Sequence, residues 1–310
     1  MQPDVLIAAE LRELVGDDPV PGHAVRWFAA GDPVPAGPYT ALVPLLSRPI
    51  AEAELSGLPA LRVVANCAVG VNNIDLAACT RRGIIVTNTP DVLTESTADL
   101  TWLLILAAAR RVKEGMQLLE RNQWTGWHPT LLLGIELKGR TLGLVGAGRI
   151  GQAVARRAGG FGMHVLYNAP TPKPEFEREV GAQRLDLPSL LQRSDVISLH
   201  LPLTQQTHRL FDRTRFFGMR LNSVFINTSR GELVDEAALL EALDRGHLAA
   251  AGLDVFWNEP HINRALVGHP RVVALPHVGS ATQDTRRAMA ALAVGNVRAV
   301  LAGQPALTPV

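Results

Sequence analysis

Three short polar groups carry the chemistry open to this sequence. They are Asn227-Thr228-Ser229-Arg230-Gly231, Asp254-Val255-Phe256-Trp257-Asn258-Glu259-Pro260 and Leu275-Pro276-His277-Val278-Gly279-Ser280. Reducing a 2-oxo acid requires a cation that holds the carboxylate and polarises the ketone. The planar fork of Arg230 can make two parallel bonds to a carboxylate. The developing alkoxide needs a proton as hydride arrives, and imidazole, here His277, is the side chain that titrates nearest neutrality. Glu259 beside that ring would orient it and favour its protonated form. In oxidation the same ring serves as base. Taken singly, each residue also has an ordinary structural role: Arg230 as a strand cap or in a surface ion pair, Glu259 in the turn before Pro260, His277 as a hydrogen-bonded core histidine. Their occurrence after three successive predicted strands favours the chemical reading, because open α/β sheets bind ligands at the carboxyl ends of strands.

A second signal lies upstream. Leu142-Gly143-Leu144-Val145-Gly146-Ala147-Gly148-Arg149-Ile150-Gly151 contains G-x-G-x-x-G between an apolar strand and an amphipathic helix, the context that gives this spacing meaning. Gly146 would permit the tight turn, Gly148 the approach of a pyrophosphate and Gly151 close packing of the helix on the sheet. The helix N-terminus would offer unpaired N–H groups to phosphate. The next predicted strand ends at Tyr167-Asn168, 22 residues after Gly146. A carboxylate there would bind a ribose 2′-hydroxyl and repel a 2′-phosphate. Asn168 carries no charge, so NADP is open, with Lys173 as a nearby cation or simply a surface lysine. The reading leans slightly to NADP(H).

The elements that must position these groups alternate apolar runs with helical patterns, which argues for α/β with parallel sheets. Predicted strands are Val5–Ala9, Val25–Ala29, Leu42–Leu45, Arg62–Ala65 and Ile84–Thr87. A long helical region runs from about Glu95 to Arg121. A second series follows: Thr141–Val145, Val165–Tyr167, Val196–Leu199, Val224–Asn227, Ala250–Asp254 and Val272–Ala274 as strands, with Arg149–Phe161 the first helix and Thr282–Leu301 the closing one.

Composition narrows the class. A chain of 310 residues, 47% hydrophobic, has length and apolar content for two domains. Thirty basic against 29 acidic residues give no electrostatic reason to expect nucleic acid or an anionic membrane. Cys67 and Cys79 belong to no C-x-x-C pair or Cys/His cluster, so free thiols, a cytoplasmic setting and no metal site are expected. Met1-Gln2-Pro3-Asp4 lacks the basic region of a signal peptide. The most apolar stretch, Leu100 to Ala109, is about half of the ~20 residues a membrane span needs.

On these segments the chain resembles the D-isomer-specific 2-hydroxyacid dehydrogenase family, most closely its glyoxylate/hydroxypyruvate reductases. Gly143 to Gly151, Ser194 to Thr204, Phe225 to Val234, Gly252 to Pro260, Pro276 to Thr282 and Asn66 to Asp75 carry the likeness. The resemblance implies two doubly wound parallel-sheet domains, a Rossmann-type cofactor domain (95–278) inserted into a flavodoxin-like substrate domain (1–94 with 279–310), and a homodimer. It implies an NAD(P)-dependent hydride transfer at C2 of a small 2-oxo or 2-hydroxy acid, with glyoxylate or hydroxypyruvate reduced to the D-hydroxy acid. Arg230, Glu259 and His277 take the family's catalytic positions. Val69 and Gly70 take the loop whose N–H groups face the substrate carboxylate. Cofactor contacts fall on Thr97, Gly146, Gly148, Arg149, Ile150, Gly151, Asn168, Pro202, Thr207, Thr228, Ser229, Asp254 and Gly279. Gln123 to Pro129 resembles the reductase segment whose tryptophan shapes the partner subunit's substrate pocket. Trp127 is the candidate, with a plain interface anchor as the alternative.

Other activities of the superfamily, phosphoglycerate or phosphite dehydrogenase among them, stay open. Formate dehydrogenases pair their histidine with glutamine, and Glu259 stands against that. Phosphite dehydrogenase also uses Arg, Glu and His. The chain reaches Pro309-Val310 soon after the last predicted helix, so the added regulatory domain of some phosphoglycerate dehydrogenases is not expected. A corepressor-like binding module that senses NAD(H) is the alternative of another class. Absent turnover with intact cofactor binding would mark it.

Overall fold

The computed structural model describes residues 4–29 and 31–310. Met1-Gln2-Pro3, read above for its lack of basic residues, lies outside them. Among the described residues the chain forms two units, Met1–Leu93 with Ser280–Val310, and Thr94–Gly279.

The first unit is built on five short parallel strands: β1 Val5–Ala8, β2 Val25–Phe28, β3 Ala41–Val43, β4 Val63–Ala65 and β5 Ile85–Thr87, in spatial order β2-β1-β3-β4-β5. That is the 2-1-3-4-5 winding of flavodoxin-like sheets. β1, β3 and β4 are buried at every position, which is why they read as continuous apolar runs rather than alternating ones. The closing helix Gln283–Leu301 belongs to this unit. Thr282 caps it by accepting from the Thr285 N–H at 3.2 Å. Its far end is tied in by Arg62 Nη2 donating to Val300 O at 2.9 Å and Arg298 Nε donating to Pro19 O at 2.7 Å.

The second unit carries β6 Thr141–Val145, β7 His164–Asn168, β8 Gln183–Arg184, β9 Val196–Leu199, β10 Ser223–Asn227, β11 Leu248–Leu253 and β12 Val272–Ala274. The sheet order is β12-β11-β10-β9-β6-β7-β8, parallel throughout. This is the Rossmann winding with an extra strand, and its order reverses between β6 and β9, where such folds bind their ligands. The helix Thr94–Ala109 is buried around most of its circumference. Trp102 ties it to the helix Arg149–Ala158 by donating to Val154 O at 2.9 Å. Among the described residues no helix is long and apolar enough to cross a membrane.

Most strand ends differ from the sequence expectation by a residue or two. The long helix expected from Glu95 to Arg121 is two helices, Thr94–Ala109 and Val112–Glu120. The break falls at Arg111, whose φ of +54° ends the first helix, and whose guanidinium is held by Glu114 at 2.7 and 2.6 Å. The helix expected over Arg149–Phe161 turns to 3-10 geometry at Gly159–Phe161, where two consecutive glycines weaken the α-helix.

Candidate active site

β10, β11 and β12 each deliver one polar group to the same end of the sheet, since the register pairs Asn227 with Leu253 and Leu253 with Ala274. His277 Nδ1 lies 2.7 Å from Glu259 Oε2. A carboxylate only accepts, so Nδ1 donates and Nε2 is left for chemistry. The other Glu259 oxygen accepts from the Phe256 N–H at 2.8 Å, which fixes the carboxyl plane. Burial pulls the Glu259 carboxyl upward. The His277 bond and charge, the Phe256 N–H and Arg230 outweigh it and hold the group below its ordinary value.

His277 sits at φ +56°, a left-handed conformation that costs energy for a residue with a side chain. Asp254 holds it there. Its backbone oxygen accepts from the His277 N–H at 2.8 Å, and its carboxylate accepts from the Val278 and Gly279 N–H groups at 2.8 Å each. Asp254 is 1% exposed, and burial pushes its carboxyl up. Thr97 comes close to the same turn: a Cβ built on Gly279 would stand 3.2 Å from Asp254 Oδ2 and 3.6 Å from Thr97 Oγ1.

Arg230 is half-buried. Burial lowers its guanidinium from the ordinary value, partly offset by Glu232 and Glu259, and an arginine so far above neutrality stays cationic. Nη1 donates to Ser229 O at 2.6 Å. The turn beneath is pinned by Asn227, whose side chain donates to Arg230 O at 2.8 Å and accepts from the Ser229 N–H at 3.0 Å. Ser229 Oγ donates to Leu199 O at 2.7 Å, and Thr228 Oγ1 meets Thr101 Oγ1 at 3.0 Å. Both hydroxyls are engaged inside the protein.

The glycine loop fits a dinucleotide. Gly146 has φ +102°, and a Cβ there would lie 2.3 Å from the His200 carbonyl oxygen, so no larger residue enters the turn. A Cβ on Gly151 would come 2.4 Å from Gly146 O, whereas one on Gly148 would meet nothing within 4 Å. Gly148 is the N-cap of Arg149–Ala158 and offers no side-chain bond, so the helix N–H groups there are available to an anion. Arg149 opens that helix at the surface, and Ile150 packs on the core behind it. Asn168 O accepts from the Gly146 N–H at 2.9 Å, which joins the end of β7 to the loop. Across the reversal point, Thr207 Oγ1 donates to Pro202 O at 2.7 Å and accepts from the Thr204 N–H at 2.8 Å, closing a tight turn after β9.

Val69 and Gly70 lie in the first unit. Ala68 O accepts from the Thr89 N–H at 2.8 Å, and Val69 O accepts from Asn88 Nδ2 at 2.8 Å. Across a trans peptide the N–H opposes its carbonyl. The Val69 and Gly70 N–H groups therefore both face away from residues 88–89, a pair of donors suited to an anion. Asn66, fully buried, donates to Gly70 O at 2.8 Å and exchanges bonds with Asn73 at 3.0 and 3.1 Å. Asn66, Asn73 and Asn88 were not singled out by sequence reasoning. Asn66 and Asn88 directly follow β4 and β5, and Asn66 and Asn73 lie in the family-like segment Asn66 to Asp75. Trp127 is not drawn into any of these clusters, and its indole is 83% exposed.

Comparison with known proteins gives the family. Residues 102–279 match the family model described as D-isomer specific 2-hydroxyacid dehydrogenase, NAD binding domain. A glyoxylate reductase of Thermococcus litoralis is 48% identical over 268 residues, covering 85% of this chain and 81% of the relative. The chain belongs to the D-isomer-specific 2-hydroxyacid dehydrogenase family. This dehydrogenase is an oxidoreductase with an NAD(P)-binding domain. Its fold matches that of a Thermus thermophilus protein at TM-score 0.88 and 45% identity, covering 99% of both chains. It also matches the NADPH-dependent glyoxylate/hydroxypyruvate reductase of Sinorhizobium meliloti, solved with NADP and malonate, at TM-score 0.89 and 35% identity over 100% and 97% of the chains.

Proposed function

We propose that this dehydrogenase reduces glyoxylate or hydroxypyruvate to the D-2-hydroxy acid, with Arg230, Glu259 and His277 as its catalytic residues. The observation that carries the reading is the 2.7 Å pairing of His277 with Glu259 in a site that also holds the half-buried cation Arg230. The bound dinucleotide supplies the hydride, and the protein does the rest. Arg230 grips the substrate carboxylate and polarises the C2 carbonyl. The N–H groups of Val69 and Gly70, which match the family's substrate-carboxylate loop, are further candidate donors to the substrate anion. His277, its Nδ1–H directed at Glu259, gives the Nε2 proton to the oxygen that becomes the hydroxyl. Glu259 keeps the ring turned and offsets its charge. In this reading the unit Thr94–Gly279 is the cofactor domain and the unit with Val69 and Gly70 is the substrate domain.

The finer readings have their own support. Asn168, where a carboxylate would exclude a 2′-phosphate, favours NADP(H), as does the likeness to a reductase solved with NADP. Homodimerisation is supported by an apolar face: Val112, Met116 and Leu119 lie three or four residues apart on one helix and are 42, 56 and 63% exposed. Trp124 and Trp127 follow in the next segment, so Trp127 would reach a substrate pocket of the partner. Both cysteines are free and buried, as a cytoplasmic enzyme allows.

The test is direct. Purified protein is mixed with NADPH or NADH, and the nicotinamide absorbance is followed on adding glyoxylate or hydroxypyruvate. Oxidation is expected with both acids. Cofactor binding without turnover of any 2-oxo acid would replace the enzyme reading with that of a cofactor-sensing module. Light scattering is expected to give a dimer mass, and a monomer would remove the role of Trp127.

A further inference from the structure

We propose that Arg184 is the residue that reads a 2′-phosphate on the cofactor's adenosine ribose. The proposal rests on the NADP(H) reading above and names the group responsible for it. Strand β7 ends at Asn168 with no carboxylate, and Asn168 Nδ2 is spent on Leu185 O at 2.9 Å. The position therefore neither repels a phosphate nor supplies a charge that attracts one. The charge comes from the neighbouring strand. Arg184 on β8 donates through Nε to Ala169 O at 3.0 Å and through Nη2 to Pro170 O at 2.7 Å. These are the first two carbonyls beyond Asn168, so the guanidinium is fastened beside the strand end where the ribose of a dinucleotide rests. Two of its five N–H donors hold the loop, and the others remain for an anion. Arg184 is exposed to solvent, which leaves the cation reachable.

The loop that holds Arg184 is itself fixed. Tyr167 OH accepts from the Lys173 N–H at 2.8 Å and donates to Glu177 Oε1 at 2.5 Å, while Pro170 and Pro172 restrict the residues between. The Glu177 carboxylate thus accepts from a tyrosine hydroxyl. Anchoring removes rotamer freedom before the ligand arrives, so less is lost on binding. Lys173 is the other cation here, but its charge sits on a flexible stem. A planar guanidinium held at two points matches a phosphate better than a point charge does.

Calorimetric titration of NADP+ and NAD+ tests the assignment without relying on turnover. The wild-type protein is expected to bind NADP+ more tightly. Arg184→Ala is expected to weaken NADP+ by about 10- to 100-fold relative to NAD+, the size of a lost charge-assisted contact. Arg184→Lys should restore part of that ratio, and added salt should weaken NADP+ more than NAD+ in the wild type. Parallel weakening of both cofactors in Arg184→Ala would mean a loop clasp only and overturn the proposal. Collapse of the ratio in Lys173→Ala but not in Arg184→Ala would overturn it while leaving the NADP(H) reading intact. Equal wild-type affinity for the two would remove that reading itself, before any variant is made.

Discussion

Gly231 lies directly under the peptide that follows Phe256: a Cβ at 231 would come within 1.9 Å of the Phe256 carbonyl carbon and 2.4 Å of the Trp257 nitrogen. The residue after Arg230 therefore touches the backbone that holds Glu259 through the Phe256 N–H. Two of the three proposed catalytic side chains are spaced by the absence of a methyl group. Gly231→Ala must push the 256–257 peptide away and turn Glu259 off His277. Displacements of about 1 Å can cost ~10²-fold in rate, and a loss of that order in kcat/KM is expected, with a lowered Tm. Steady-state kinetics and thermal melts check it. A variant as active as wild type would mean that the two loops move independently.

Removing the chemistry itself should separate activity from folding. Arg230→Ala and His277→Ala are each expected to lower kcat/KM by about 10³-fold or more, with circular dichroism and Tm close to wild type. Glu259→Gln should move the pH–rate profile to lower pH, because the imidazolium loses its carboxylate partner. A His277→Ala protein with near-normal turnover would remove the mechanism, and an unmoved profile would make Glu259 structural.

The anion loop offers a test in the other unit. Asn88→Ala deletes the donor to Val69 O and frees the peptide that aims the Gly70 N–H. A rise in KM for the 2-oxo acid of about 10-fold is expected, with a smaller change in kcat, since one hydrogen bond to a charged group is weakened. Asn66→Ala is expected to cost stability as well, because it removes the donor to the Gly70 carbonyl and to the Asn73 side-chain oxygen. Unchanged substrate KM in Asn88→Ala would detach this loop from substrate binding.

Acid should destabilise the fold through a histidine outside the proposed catalytic set. Burial pulls His200 down to about 3 from 6.5, with Nε2 2.9 Å from Ser198 Oγ. An unfolded chain would take up a proton near 6.5, while the folded ring resists it until about 3. The stabilisation is therefore complete above the unfolded value and lost progressively as pH falls between these limits, by at most ~1.4 kcal/mol per pH unit. Glu259, held below 4.5, adds its own loss only at lower pH. Urea unfolding at about pH 7 and about pH 5 should show a larger drop in wild type than in His200→Asn, which keeps only the contribution of groups such as His269, also lowered by burial. Equal drops in both proteins would assign the acid sensitivity elsewhere.

The sequence by itself determined what depends on near neighbours. Strand–glycine–helix order around Gly146 was legible because the steric needs of a tight turn and the period of the flanking elements are local. So was the succession of Arg230, Glu259 and His277 after three strands, and with it the reaction class. Only the tertiary structure decided that Glu259 meets His277, since the two stand 18 residues apart in loops that follow different strands. It also decided which asparagines turn the Val69–Gly70 peptides. It broke one expected helix at Arg111, where a left-handed residue and the Glu114 pairing ended a pattern that was apolar enough to continue. Arg184 is the clearest case. Nothing in Gln183-Arg184-Leu185 marks a ligand residue, and its meaning appears only when β8 lies beside β7 and the guanidinium meets the carbonyls after Asn168. Contacts between strands leave no periodic trace in the chain, because their partners are chosen by the sheet's winding rather than by adjacent residues.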